Sequence, residues 1–226
     1  MINLTLFDLD HTLLPLDSDY TWGEFTTRIG WTDPVIFKQR NDEFFAQYKR
    51  GELKIADYVR FATQAIKEQG KDKSIAAHAQ FMREVIEPAI TRSATDLIAQ
   101  HRQRGDRIVI VTATYEFVTR PIASALGIDE LIAVQLEMDG AQHGTGWITG
   151  AIKGVPSAHE GKVTRVEEWL AANQLNWQNV HTTFYTDSFN DIALLEKVNT
   201  PIATNPDARL RTVATARGWQ ILDLYS

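Results

Sequence analysis

The sequence predicts an α/β fold: an open parallel sheet covered by helices on both faces, with an α-helical cap inserted after the first strand. Three observations carry this expectation. Short apolar, β-branched runs recur along the 226 residues and alternate with helical segments. Residues 16–88 interrupt that alternation and contain no convincing strand. A hydrophobic content of 44% can fill one good-sized core with an elaboration on it.

The elements follow in order. "LTLFDL" at 4–9 reads as a strand buried on both faces. In the insertion, "DPVIFKQRNDEFFAQYKRG" is the clearest helix, with Pro34 suited to a first turn and Gly51 to a stop. The insertion is too long for a crossover, so residues 16–88 are assigned to a cap, and 1–15 with 89–226 to the core. A helix over 92–104 leads to the strand "RIVIVTA" at 107–113, and a helix over 116–126 to "ELIAVQL" at 130–136. Glycines 140, 144, 146 and 150 in "LEMDGAQHGTGWITG" suggest a hairpin or flap near 137–152. Helix 162–173, strand "VHTTFYT" at 180–186 and helix 189–198 come next. A weaker strand pair, "PIAT" at 201–204 and "WQILDL" at 219–224, brackets a helix over 206–217. The whole reads as a Rossmann-like sheet, whose ligands bind at the carboxyl ends of the strands.

Composition narrows the function. The formal charge of −6, without a basic stripe, argues against a nucleic-acid partner. The absence of cysteine excludes disulfides, thiolate nucleophiles and zinc–cysteine sites, and fits a reducing compartment. No apolar run approaches the roughly 18 residues of a membrane span. The first Lys or Arg is Arg28, unlike the basic start of a secretory signal. The expectation is a cytoplasmic protein, monomer or homodimer.

Chemistry-bearing residues fall at the strand ends. Asp8 and Asp10, two positions apart, share one side of the first strand's end, and such a like-charged pair calls for a neutralising cation. Thr12 follows two residues on. Thr112 ends the second strand, with Ala113 and Thr114 behind it. Lys162 opens the helix "EGKVTRVEEWL", Asp187 closes "TTFYTD", and Asn190 and Asp191 begin the next helix. Each type suits phosphoryl transfer. A carboxylate can attack phosphorus, and a second can protonate the leaving alkoxide and then activate water. Hard oxygen ligands suit Mg²⁺, while a hydroxyl, a lysine and helix N-termini hold phosphate oxygens.

In order and spacing, "DLDHT", the threonine of "IVTAT", Lys162 and "TDSFND" resemble the four motifs of the haloacid dehalogenase-like superfamily. The helical insertion resembles the cap of its phosphoserine-phosphatase-like branch, subfamily I-B. Members of that branch are also assigned to histidinol phosphate and phosphatidylglycerophosphate. The resemblance implies Asp8 as nucleophile and Asp10 as general acid and base. It implies Mg²⁺ held by Asp8, the main-chain carbonyl of Asp10, and Asp187, with Asp191 in support. Thr12, Thr112, Ala113 and Lys162 would bind phosphate and Asn190 would orient the site. The implied activity is Mg²⁺-dependent hydrolysis of a small phosphomonoester through an aspartyl-phosphate, with phosphoserine and histidinol phosphate as the leading substrates. A lysophospholipid or sugar phosphate is the alternative, and a phospho-accepting receiver is the alternative from another class; receivers lack a cap. The Thr112-Ala113-Thr114 run departs from the Ser-Gly-Gly common in phosphoserine phosphatases, which leaves the amino-acid substrate open.

The cap offers two further residues through the same resemblance. Asp17 stands where an acid meets the substrate ammonium, and Arg60 has the spacing of a carboxylate-binding arginine; the plain alternative for both is a solvated surface. Trp22, Phe44, Phe45 and Tyr48 are read as cap core rather than pocket wall. The histidines at 78, 101, 143, 159 and 181 show no metal-ligand spacing and are read as surface or packing residues, and His11 is given no role.

Overall fold

The structure, a computed structural model, describes residues 2–140 and 145–225. Its centre is a parallel six-stranded sheet in the order β3-β2-β1-β6-β7-β8. The strands are β1 (Ile2–Phe7), β2 (Arg107–Tyr115), β3 (Glu130–Val134), β6 (Val180–Thr186), β7 (Thr200–Thr204) and β8 (Gln220–Leu222). The α/β expectation is met. Alternation along β1 sends Leu4 and Leu6 into one buried cluster and Phe7 into the other. With Phe7 pack α7 (Arg92–Gln103), through Ala94 and Ile98, and α8 (Glu116–Ala125), through Val118 and Ile122. With Leu4 and Leu6 pack α9 (Glu160–Ala172), α10 (Ile192–Lys197) and α11 (Ala208–Arg217). Helices therefore cover both faces, and β1 lies buried between β2 and β6.

Four strand assignments need correction. The first runs over Ile2–Phe7 rather than 4–9, and the last over Gln220–Leu222 rather than 219–224. The second strand runs on past 113 to Tyr115, with a register shift between Val111 and Tyr115. The third stops at Val134, because the chain turns out of the sheet into an antiparallel ribbon, β4 (Leu136–Met138) against β5 (Ile148–Ile152). The ribbon is where the glycines suggested a hairpin; Gly144 lies outside the described residues. Trp147, beside β5, donates its indole N–H to the Ile66 carbonyl at 3.1 Å and so rests on the helical insertion.

Between β1 and α7 the chain is helical: α1 (Ser18–Arg28), α2 (Pro34–Arg50), α3 (Ile55–Ala62), α4 (Gln64–Gln69), α5 (Lys71–Phe81), and α6 (Glu87–Ala89) after a π-turn at Met82–Ile86. Asp17 caps α1 and Asp33 caps α2, each accepting two backbone N–H groups. Pro34 opens α2, and Gly51, at φ 72°, takes the left-handed conformation that ends it. Pro88 has no N–H to return to the preceding turn, and the ladder widens into the π-turn just before it. One continuous apolar cluster joins insertion to sheet: Trp22, Phe25, Val59 and Phe81 pack with Phe7, Ile110 and Tyr115. No helix among the described residues is long and apolar enough to cross a membrane.

Candidate active site

The end of β1 fixes the first carboxylate. The Asp8 N–H donates to the Tyr185 carbonyl of β6 at 2.9 Å, continuing the ladder one residue past the strand. The chain then folds tightly. Amides of Thr12, Leu13 and Leu14 all turn toward the Leu9 carbonyl, at 3.3, 2.9 and 3.0 Å, and His11 takes a left-handed φ of 55°.

Asp8 is held at both oxygens. Lys162 donates to Oδ1 at 2.7 Å and the Thr12 hydroxyl to Oδ2 at 3.2 Å. The same ammonium donates to Asp191 at 2.6 Å and is only 1% exposed. Asp191 also accepts from Thr186 at 2.7 Å. Burial works against the Lys162 charge, but Asp191 and Asp8 outweigh it and hold its pKa above the ordinary value. Burial raises Asp8 to about 7 against the pull of Lys162, with Asp191 and Asp10 adding to the rise.

Asp10 accepts the Ser18 N–H at 2.8 Å and the Thr114 hydroxyl at 2.9 Å. Burial, then Asp17, raises it to about 6, so near neutrality it can both give and take a proton. Asp187 follows β6, and its N–H donates to Thr12 Oγ1 at 3.1 Å. Its carboxyl is pushed well above the usual range by burial and by Asp8 and Asp191.

A cleft opens beside these groups. Asp8, Asp10, Asp17, Asp187, Thr112 and Ala113 line it, with Phe44, Phe45, Tyr48 and Tyr58 from the insertion. The cap-core reading therefore holds for Trp22, 1% exposed inside the apolar cluster, and is corrected for Phe44, Phe45 and Tyr48. α2 presents these three to the cleft.

Other expected residues fall elsewhere. Thr12 is fully buried and spends its hydroxyl on Asp8, so it positions the carboxylate rather than lining the cleft. Asn190 sends its amide to the Tyr48 carbonyl at 2.8 Å, tying the core to α2. Asp17 lines the cleft while one oxygen accepts the N–H groups of Asp19 and Tyr20. Arg60 is brought nowhere near Asp8. Its side chain is 74% exposed, 3.5 Å from Asp57, in a separate groove with Arg50 and Glu52. The helical phase of α3 turns it outward.

Thr114, Asp19 and Asn41, given no role from sequence, also reach the site, as does His11. Alternation gave a signal for Thr114, since it shares a strand face with Thr112. Asp19 and Asn41 gave none, because their direction depends on how the insertion packs.

Five carboxylates line the cleft and no Lys or Arg does so among the described residues. Carboxyl groups crowded together with no Lys or Arg beside them in the cleft fit a hard divalent cation. No group of three His, Asp or Glu side chains is gathered for a metal among the described residues. The reason is local: Asp10 is taken up by Ser18 and Thr114, and Asp191 by Lys162 and Thr186. A cation here would rest on the Asp8 and Asp187 carboxylates, with main-chain and water oxygens completing its shell.

The family model described as "haloacid dehalogenase-like hydrolase" matches residues 5–196. A histidinol-phosphatase of Neisseria meningitidis serogroup C is 36% identical over 224 residues, spanning 99% of each chain. A Bordetella pertussis Tohama I protein of unknown function superposes over the full length of both chains with a TM-score of 0.91 and 45% identity. A substrate-bound phosphoserine phosphatase superposes with a TM-score of 0.68 over 98% of this chain and 93% of its own, at 19% identity. The chain belongs to the haloacid dehalogenase-like hydrolases, and its fold is that of the phosphoserine-phosphatase-like branch.

Proposed function

We propose that the protein is a Mg²⁺-dependent phosphomonoesterase whose substrate is histidinol phosphate. The carrying observation is the charge of the cleft: five carboxylates, five aromatic rings from the insertion, and no Lys or Arg lining it among the described residues. Histidinol phosphate offers an ammonium and an imidazole and no carboxylate, which suits such a wall. Phosphoserine would set its carboxylate against Asp17, and no guanidinium would answer it, since Arg60 faces away. The Neisseria relative's name supports the same choice.

The chain's own groups divide the chemistry. Asp8 attacks phosphorus, the bond from phosphorus to the alkoxide oxygen breaks, and Asp10 gives its proton to that leaving oxygen. Asp10 then takes a proton from water as the water oxygen attacks phosphorus and the bond to Asp8 breaks, releasing phosphate. Lys162 keeps the Asp8 carboxylate paired between turnovers, and Thr112 and Ala113 flank the phosphoryl oxygens. Mg²⁺, resting on Asp8 and Asp187, would offset the repulsion between carboxylate and phosphate.

The test is phosphate release by purified protein from histidinol phosphate and from phosphoserine, with Mg²⁺ and after EDTA. The expected preference for histidinol phosphate is about 30-fold or more, matching a like-charge penalty of about 2 kcal/mol. EDTA should abolish turnover and Mg²⁺ restore it. Equal or faster hydrolysis of phosphoserine overturns the substrate assignment.

A further inference from the structure

Asp19 has no part in the phosphoryl chemistry, yet it is buried at the cleft wall. It stands in the first turn of α1, 5% exposed, and lines the cleft beside Asn41, Phe44 and Tyr58. The Tyr58 and Tyr115 hydroxyls come up to its carboxyl, but its Oδ1 has no hydrogen-bond partner. A buried, unanswered carboxyl oxygen costs stability unless a ligand completes it. Asp17 is the neighbouring acid, so two carboxylates stand together where the cleft leaves the phosphoryl chemistry. Phe44 and Tyr58 meet edge to face, ring centres 5.4 Å apart, and line the same cleft as Asp19.

We propose that Asp19 is a specificity-determining residue that receives the basic heteroaromatic ring of the substrate, its carboxylate accepting the ring N–H while Phe44 and Tyr58 wall the ring. This rests on the substrate reading above and assigns its second nitrogenous end: Asp17 serves the ammonium and Asp19 the imidazole. Burial, with Asp17 adding to it, raises the empty-site carboxyl to about 8, so it stands protonated at neutral pH. A basic ring arriving there takes that proton. The Asp19 O–H bond breaks, a ring N–H bond forms, and no proton is exchanged with solvent.

The experiment compares kcat/KM for histidinol phosphate and for ethanolamine phosphate, which keeps ammonium and phosphate but lacks the ring. Asp19→Asn should lower the ratio of the two by about 10- to 100-fold, as expected for losing a hydrogen bond to a charged group, and mainly through KM for the ringed substrate. Because it removes a costly buried carboxyl, the variant should be at least as heat-stable as the wild type; a residue serving only the fold would lose stability instead. An unchanged ratio overturns the inference. Should the wild type itself show no preference for histidinol phosphate over phosphoserine, the substrate reading fails, which is a different result. A measurement on the wild type needs no variant: ¹⁵N-ring-labelled L-histidinol bound with inorganic phosphate should hold its imidazole protonated well above the pH at which the free compound titrates. A bound ring that titrates as in free solution overturns the inference equally.

Discussion

Lys162 answers two carboxylates, Asp8 and Asp191, from a position closed to water, and the Thr12 hydroxyl secures the other oxygen of Asp8. Such fixing leaves Asp8 one orientation, which is what attack on phosphorus requires. On the proposed mechanism Asp8→Asn keeps the shape and removes the attacking carboxylate, so turnover should fall by about a thousandfold or more in a folded protein. Trapping with beryllium fluoride should place the adduct on Asp8; an adduct elsewhere, or near-wild-type turnover, sinks the assignment. Arg60→Ala is the contrasting change. With its guanidinium exposed on another groove, kcat/KM for histidinol phosphate should stay within about twofold, in line with the small effects of exposed pairs. A tenfold loss would return Arg60 to the site.

At the scale of elements, the start of α9 sets Lys162. Gly161 passes so close to the preceding loop that a Cβ there would lie 2.1 Å from the Pro156 carbonyl oxygen. Gly161→Ala must push helix and loop apart and carry Lys162 with them. The expected cost is about 1–3 kcal/mol, a Tm lower by about 2–10 °C, with a matching loss of turnover. Gly140→Ala, with nothing within 4 Å among the described residues, is the control and should leave Tm unchanged. An unaltered Tm for Gly161→Ala would show that the loop yields freely. The same elements show what sequence can convey. Parallel strands advertise themselves as continuous apolar runs, and their ends put Asp8, Thr112 and Asp187 at one sheet edge. The face a helix turns inward is different, because it depends on packing against distant partners. Hence the sequence leaves open whether Arg60 meets the cleft, and α3 turns it out; it reads Phe44, Phe45 and Tyr48 as cap core, and α2 turns them to the cleft. Asp19 carried no pattern at all, since only the seating of α1 beside Tyr58 and Tyr115 gives its carboxyl a meaning.

Across the whole molecule, insertion and sheet share one apolar cluster, and a buried imidazole sits on the seam. His78 of α5 packs against Trp22, Phe81 and Phe117 and bonds through Nε2 to the Val118 carbonyl of α8 at 3.0 Å. Burial lowers its pKa to about 4. Between that value and the ordinary 6.5 the unfolded chain binds a proton that the folded chain refuses, so stability rises with pH across the window and is lost on acidification. The full effect is about 3 kcal/mol. His78→Gln keeps a donor without the titration, so urea unfolding at pH 7 and pH 5 should show a flatter dependence than the wild type. An equally steep one would place the acid sensitivity elsewhere. The position of β1 has a consequence of another kind. It is made first but pairs on one side with β2, from Leu4 opposite Arg107, and on the other with β6, from Ile2 opposite Val180. While the chain is being synthesised, the strand that leads into Asp8 waits until β6 is made for its second neighbour. Its apolar run is exposed for that interval, and chaperones that shield nascent chains would find their binding segment there.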